Sequence, residues 1–576
     1  MTLPGVSSHR RARRPGLSGF LVIGLAALGL WAAPLGAPPP DTAYEDARAP
    51  AAALPAAPAV PSEAAAATDA APDRLLHLQN ELARALGTGA ARRGQWGVMA
   101  VSASQRDTLF ARNADASLAP ASNQKLFTSA AALHHLGADF RYPTFLLARG
   151  EVSGGILHGD LVLYGTGDPS ISDRLLSSGE DPFRSFAQEL RDQGIERIRG
   201  DLLGDGTFFT GPTRRDSWNP DDLNDWFAAP ISGLSFNENL VTLRIQPGSV
   251  GQTPRVLTQP RGALLDLQNV GRTVGGATRS PLMVVRDDPD DAIEIRGDIR
   301  TGQADVWRRM TVSDPPSFAA SILRRVLEEE GIVVEGRTGS VSSPDESGIT
   351  GRTLVAPGLQ PDPAALWTVA VHHSPPLSEL LGVVNKRSHN LYADALLFSL
   401  GRVTEGEGSF DGGSRALTEY LTRIVGIPEE GLHVVDGSGL SRLNRARPSA
   451  FIELLAHMDV DPRGTAFWAS LPEAGNQREL RRMYRSPAAG NLRAKTGTIH
   501  RVSALSGVVR SSMGEAIYFS VMANDVPSPW AAKRVEDQIG IELASFSRPL
   551  WTDPSQDPDR DAPVPWTGTL NAQDQD

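Results

Sequence analysis

Pro120-Ala121-Ser122-Asn123-Gln124-Lys125 opens a helical stretch in which Leu126, Ala130 and Leu133 fall on one face and Gly137 offers the C-terminal stop. Ser122 and Lys125 stand three residues apart, so a hydroxyl and an amine share a face and a nucleophile can meet a base. Alone, a serine and a lysine at that spacing usually mean an N-capped surface helix. Two further segments change the reading. Ser388-His389-Asn390 follows Asn385-Lys386 in a helical or loop stretch, and Lys495-Thr496-Gly497-Thr498 directly precedes two alternating strands, Val502–Val509 and Ala516–Ala523. Each segment is weak by itself; the three in this order point to one nucleophilic site.

Lysine usage points the same way. The chain has four lysines, Lys125, Lys386, Lys495 and Lys533, and three of them lie in or beside these segments. Elsewhere the positive charge comes from arginine, so something particular favours lysine here. A guanidinium stays protonated, whereas a desolvated amine near another cation can lose its proton around neutrality and serve as a base. Codon bias with chance survivors does not account for the coincidence.

The 576 residues exceed one ordinary domain, and a formal charge of −11 gives none of the basic surplus a nucleic-acid binder needs. No cysteine is present, which removes disulfides, thiol catalysis and thiolate metal sites. Arg10, Arg11, Arg13 and Arg14 precede an apolar run from Leu17 to Leu35, the order of an export signal. Residues 1–37 read as a signal peptide or, because Leu35 and Pro38 suit cleavage poorly, as an uncleaved membrane anchor. Residues 38–74, dominated by Ala and Pro, read as a linker, and the acidic, Pro-rich residues 551–576 as a disordered tail. Residues 75–145 and 375–550 form one expected domain. It begins with a helix carrying Leu75, Leu76, Leu78, Leu82 and Leu86 and a strand pair, Trp96–Ala103 and Thr108–Ala111, and ends in a helix with Val535, Ile539 and Leu543 on one face. Residues 146–374 read as a β-rich insert with strands such as Asp201–Leu203 and Leu240–Ile245, one helix from Phe318 to Glu330, and a nested domain at about 243–300.

A Ser-x-x-Lys on a helix, a Ser-x-Asn on a connection and a Lys-Thr-Gly on a strand edge form the signature of penicillin-binding proteins and serine β-lactamases. The chain resembles the low-molecular-mass class C penicillin-binding proteins, the D-alanyl-D-alanine carboxypeptidase and endopeptidase family, over roughly residues 75–547. Pro120–Lys125, Tyr164-Gly165-Thr166-Gly167-Asp168-Pro169, Asn385–Asn390 and Asp436-Gly437-Ser438-Gly439-Leu440-Ser441-Arg442 stand in family order, and the gap from Lys125 to Ser388 supplies the family's insert. Asp394 departs from the glutamate expected there, which bears only on local packing. The resemblance implies an α/β (α+β) transpeptidase/β-lactamase-like domain with an antiparallel sheet flanked by helices, plus inserted β-rich domains. It implies that Ser122 forms an acyl-enzyme with peptidoglycan stem peptides and with β-lactams, which act as covalent inhibitors. Lys125 would be its base, Ser388 would pass the proton toward the leaving amine, Asn390 would orient Lys125 and the substrate amide, and Lys495 would supply positive charge. The backbone amides of Ser122 and Thr498, the latter beside Gly497, would form the oxyanion hole, and the Thr496 and Thr498 hydroxyls would hold the terminal carboxylate. Arg442 and Asp222 would grip the zwitterionic end of diaminopimelate; the competing reading has Arg442 in an internal salt bridge and Asp222 capping the turn after Pro220.

His134-His135 and His372-His373 lack the spacing of zinc ligands, so no metal or other cofactor is expected. Tyr164–Pro169 ends a strand rather than cradling phosphate, since no Lys-Ser or Lys-Thr follows it. Two other functions compete: a β-lactamase, which the insert and the Asp436 segment argue against, and a non-catalytic peptidoglycan-binding homologue, which the complete motif set argues against. Nothing in the sequence specifies an oligomeric state.

Overall fold

The structure, a computed structural model, describes residues 71–89, 91–349 and 366–549. The export run 1–37, the linker up to residue 70 and the tail 551–576 lie outside the described residues. Among the described residues no helix is long and apolar enough to cross a membrane.

Five strands build the central sheet: β1 (Gln95–Ser102), β2 (Thr108–Arg112), β3 (Arg493–Ile499), β4 (Val502–Arg510) and β5 (Ala516–Asn524), all antiparallel in the order β2-β1-β5-β4-β3. Alternation along each strand sends neighbouring side chains to opposite faces. Val98, Ala100, Leu505, Val509, Phe519 and Val521 meet one helical layer, α1 (Ala71–Leu86) and the C-terminal helix Pro529–Ser545. Met99, Val101, Ala504, Val508, Tyr518 and Met522 face the other, which contains α2 (Gln124–Leu136), α3 (Leu377–Lys386), α4 (Asn390–Thr404) and α5 (Pro448–Val460). The antiparallel sheet flanked by helices is therefore present. In the C-terminal helix Val535, Ile539 and Leu543 are buried together, as their spacing predicts. The first helix starts at Ala71, inside the expected linker, and buries Leu78, Leu82 and Leu86, whereas Leu76 points to solvent at 56% exposure.

The insert carries a five-stranded mixed sheet, ordered Thr338–Ser340, Leu202–Asp205, Leu161–Gly165, Pro143–Ala148 and Trp367–His373, with smaller sheets beside it. Two helices, not the single one expected, cover one face of this sheet: Asp181–Asp192 through Phe183, Phe186 and Leu190, and Pro315–Glu329 through Ile322, Leu323 and Val326. The missed helix has Pro182 in its first turn and apolar residues at i, i+3 and i+7, a pattern the many Gly and Asp clusters around it obscured. Phe145, Leu147, Val162 and Tyr164 on the sheet's other face share a core with α2 and α4, and Phe209 of the insert packs 5.1 Å from Phe398 of α4. The insert is thus packed into the catalytic domain rather than hung from it.

Candidate active site

The nucleophile position is set by a bend. Ala121–Asn123 form a 3-10 turn that runs directly into α2, and Ala121 takes φ +48. A residue with a Cβ in that left-handed region costs roughly 1–2 kcal/mol, so neighbouring bonds must hold it. Asn524 on β5 does part of this, accepting from Ala119 N at 2.9 Å and donating to Ala119 O at 3.0 Å.

Lys125, one helical turn on, is fully buried. Its Nζ lies 3.0 Å from Ser122 Oγ, 2.7 Å from Asn390 Oδ1 and 2.5 Å from the Ser438 carbonyl. A neutral amine satisfies this set completely: its two hydrogens go to the two carbonyl oxygens and its lone pair faces the Ser122 hydroxyl. Asn390 cannot present its nitrogen instead, because Nδ2 donates to the Phe227 carbonyl at 2.7 Å. Ser388, at φ +56, accepts at 2.8 Å from Lys495 Nζ, which also donates to the Thr496 carbonyl at 2.8 Å. The five residues, spread over the chain, fall into two hydrogen-bonded groups, Ser122–Lys125–Asn390 and Ser388–Lys495, whose two amines feel each other's charge.

The Asp436–Arg442 segment is wound around its own first side chain. Asp436 accepts from Gly439 N and Ser441 N at 2.7 Å each, from Asn444 Nδ2 at 2.8 Å and from Trp218 Nε1 at 2.9 Å. Asp394, on α4, fixes the same loop by accepting from Gly437 N at 2.8 Å and Ser438 N at 3.0 Å. The Ser438 carbonyl is thereby aimed at Lys125. Gly439, at φ +79, touches the nucleophile's turn so closely that a Cβ would sit 1.8 Å from Ala121 O. β3 closes the other side as an edge strand of the sheet. A Cβ on its Gly497 would lie 2.8 Å from Pro120 O and 3.2 Å from Ser122 N, so the strand runs directly beside the turn.

Burial dominates the electrostatics. It pushes the Lys125 amine well below its ordinary 10.5, with Asp394 and Asp436 pulling partly back. Lys495 is also lowered well below that value, first by burial and then by the charge of Lys125. Burial, then repulsion from Asp436, raises Asp394 above the usual carboxylate range. A dry pocket with two amines thus draws both toward losing a proton, the Lys125 pKa falling to about 8.

Thr496 is half-buried on β3, and the Thr498 side chain is exposed, with its hydroxyl donating to the Gly497 carbonyl at 2.8 Å. The exposed Arg442 donates to the His500 carbonyl, at the turn after β3, and not to an internal carboxylate. Asn219, not Asp222, caps the turn Pro220–Asp222, its side chain accepting from Asp221 N. Beyond Asp222 the loop reaches the second motif, where the Trp226 ring lies 5.8 Å from His389 and the Phe227 carbonyl takes Asn390. No ion pair joins Asp222 to Arg442. Sequence reasoning missed Trp218, Phe227, Glu238 and Arg174. Trp218 and Phe227 reach the site through a ring nitrogen and a backbone carbonyl, and no local pattern marks either.

The profile of the D-Ala-D-Ala carboxypeptidase 3 (S13) family matches residues 78–545. A D-alanyl-D-alanine carboxypeptidase from an Actinomadura species is 32% identical over 502 residues, covering 84% of this chain and 87% of the relative. The D-alanyl-D-alanine carboxypeptidase DacB of Haemophilus influenzae is 26% identical, over 74% of this chain and 85% of its own. The crystal structure of penicillin binding protein 4 from Haemophilus influenzae superposes with a TM-score of 0.65 at 24% identity, covering 81% of this chain and 98% of that one.

Proposed function

The chain belongs to the D-Ala-D-Ala carboxypeptidase 3 family, and from this we propose that Ser122 is acylated by peptidoglycan stem peptides at the carbonyl of the penultimate D-alanine. The protein is a serine-type D-alanyl-D-alanine carboxypeptidase with a penicillin-binding fold. The observation that carries the assignment of its base is the fully buried Lys125 amine, held between Ser122, Asn390 and Ser438.

In this reading Lys125 Nζ takes the Ser122 proton as Oγ bonds to the carbonyl carbon, and the backbone amides of Ser122 and Thr498 receive the developing oxyanion. Donors of that kind contribute on the order of 3–4 kcal/mol each. The C–N bond then breaks, and the departing D-alanine amine takes a proton through Ser388, which is bonded to Lys495. Water adds to the ester, and Ser122 recovers its proton. A cross-linked peptide fits the same scheme with another stem's side-chain amine as leaving group, which makes the enzyme an endopeptidase as well. Beyond the bridge from Glu473 to Arg493, the edge of β3 suits a substrate bound in extended form, its carboxylate at the Thr496 and Thr498 hydroxyls. Opening of a β-lactam leaves the amine tethered to the acyl group, so that adduct persists. Asp222 and Arg442 are proposed to hold the ammonium and carboxylate of diaminopimelate. Carboxypeptidase relatives matched over most of their length favour this function over a β-lactamase.

The substrate places the enzyme outside the cytoplasm, in the periplasm or cell envelope, in keeping with the basic and apolar start of the chain. Incubation with penicillin followed by intact-mass measurement and peptide mapping tests the site. One adduct on Ser122 is expected, together with D-alanine release from a pentapeptide; an adduct on another serine, or none, overturns the assignment.

A further inference from the structure

His389, the middle residue of Ser388-His389-Asn390, is 1% exposed, and its ring faces a buried carboxylate of the insert. Its Nε2 lies 3.1 Å from Glu238 Oε2, and the Tyr392 and Trp226 rings enclose the imidazole at 4.9 Å and 5.8 Å. Glu238 is itself 6% exposed and is gripped by the Arg174 guanidinium, whose Nε meets Oε1 and whose NH2 lies 3.0 Å from Oε2. The backbone that presents this carboxylate is strained. Asn237, Glu238 and Asn239 take φ +49, +58 and +57 in succession. Asparagine tolerates that region but glutamate does not, at roughly 1–2 kcal/mol for the residue. Asn239 Nδ2 holds the turn by donating to Pro230 O at 2.9 Å and Ser235 Oγ at 3.0 Å. Strain of this kind, kept by surrounding bonds, marks a side chain that has to be where it is.

We infer that Glu238 is a positioning residue for the second motif: held by Arg174, it fixes the ring of His389 and so the placement of Ser388 and Asn390 on either side. The inference rests on the proposed roles of Ser388 and Asn390. Burial raises the Glu238 carboxyl, but His389 and Arg174 outweigh it and hold the group well below the usual carboxylate range, so an anion faces the ring. Neither ring nitrogen of His389 makes a hydrogen bond of good geometry among the described residues, so the 3.1 Å contact with Glu238 and the enclosing Tyr392 and Trp226 rings are what hold the imidazole.

Glu238→Gln keeps the shape and removes the charge that faces the ring. Arg174 claims the amide oxygen, the amide NH2 is left against His389 Nε2, and the ring turns and shifts its flanking residues. A displacement of about 1 Å can cost on the order of a hundredfold in rate. The test compares wild type, Glu238→Gln, His389→Gln and the double variant for the rate of acylation by penicillin and the affinity of the non-covalent complex. Thermal unfolding reports on the fold. Expected are an acylation rate lowered tenfold or more in Glu238→Gln with affinity unchanged, and no further loss when Glu238→Gln is added to His389→Gln. A folded Glu238→Gln protein that keeps the wild-type rate overturns the inference, as does an equal loss in the absence of His389. Should Glu238→Gln not fold, His389→Gln decides: a lowered rate supports the inference and a wild-type rate removes it. Failure of the wild type to acylate at Ser122 would instead strike the proposed function, so the two failures are distinguishable.

Discussion

Lys125→Arg keeps the positive charge at the centre of the site and removes the ability to accept a proton. Lys125 is wholly buried, and its three oxygen neighbours already stand at 2.5, 2.7 and 3.0 Å, so the larger planar head has no room to grow into. Overpacking of that kind costs about 1–3 kcal/mol of stability. Loss of a positioned general base costs about 10²–10⁴-fold in rate, which corresponds to roughly 3–5 kcal/mol of barrier. We expect the acylation rate with a fluorescent penicillin to fall about a thousandfold, with the remainder supplied by the oxyanion hole. The pH profile sharpens the test. The amine's lowered pKa means that wild-type acylation rises with pH along a limb whose midpoint lies well below 10.5, as the ammonium gives up its proton. Lys125→Arg should lack that limb, because guanidinium stays charged throughout. A folded Lys125→Arg protein that acylates within tenfold of wild type, with its ascending limb intact, would refute Lys125 as the base.

Asp394→Asn keeps an oxygen for Gly437 N and Ser438 N but removes a carboxyl whose charge, gained only as the pH rises past its raised pKa, raises the Lys125 pKa, so the ascending limb of acylation should move to lower pH; no movement, or movement upward, contradicts this coupling. Gly439→Ala drives a Cβ to 1.8 Å from Ala121 O at φ +79, and we expect loss of acylation and a melting temperature lower by several degrees, since about 1 kcal/mol shifts Tm by roughly 2–4 °C even in larger domains. Asp222→Ala and Arg442→Ala should each slow hydrolysis of diaminopimelate-containing peptides about tenfold more than acylation by a penicillin lacking that side chain, as expected for exposed charge-assisted contacts. Asp221→Ala, at the exposed neighbouring carboxylate, is the internal comparison; equal losses on both substrates would leave Asp222 and Arg442 without a specificity role.

The spacing of Ser122 and Lys125, the alternation of Val502–Val509 and the four-residue step Val535, Ile539, Leu543 are local patterns, and each corresponds to an element found in the structure. The order of the three motifs and the scarcity of lysine single out Ser122, Lys125, Ser388, Asn390 and Lys495, and the structure brings Lys125 onto Ser122 and Asn390, and Lys495 onto Ser388. Local signals failed where tertiary partners decide. Leu76 keeps helical spacing with Leu82 and Leu86 only if the buried stripe is drawn too wide, and it ends in solvent. Nothing near Glu238 or Arg174 announces that they meet at His389, because the two are brought together by an inserted domain folding against α4. Asn219 and Asp222 are equally good capping residues in sequence; the hydrogen bond from Asp221 N goes to Asn219 alone.

The central sheet draws its first two strands from one end of the chain and its last three from the other, and β1 pairs with β5 across more than four hundred residues. Contacts so far apart in sequence make for slow folding, since the loop-closure entropy must be met before the pairing gains anything. During synthesis the insert can collapse while β1 and β2 still lack a partner. Ser122 and Lys125 emerge early, but the Lys495 amine and the β3 edge follow only near the end. The nascent chain therefore carries a nucleophile without an active site. A peptidase assembled in this way has no complete active site until nearly the whole polypeptide has left the ribosome, which separates its synthesis from its activity.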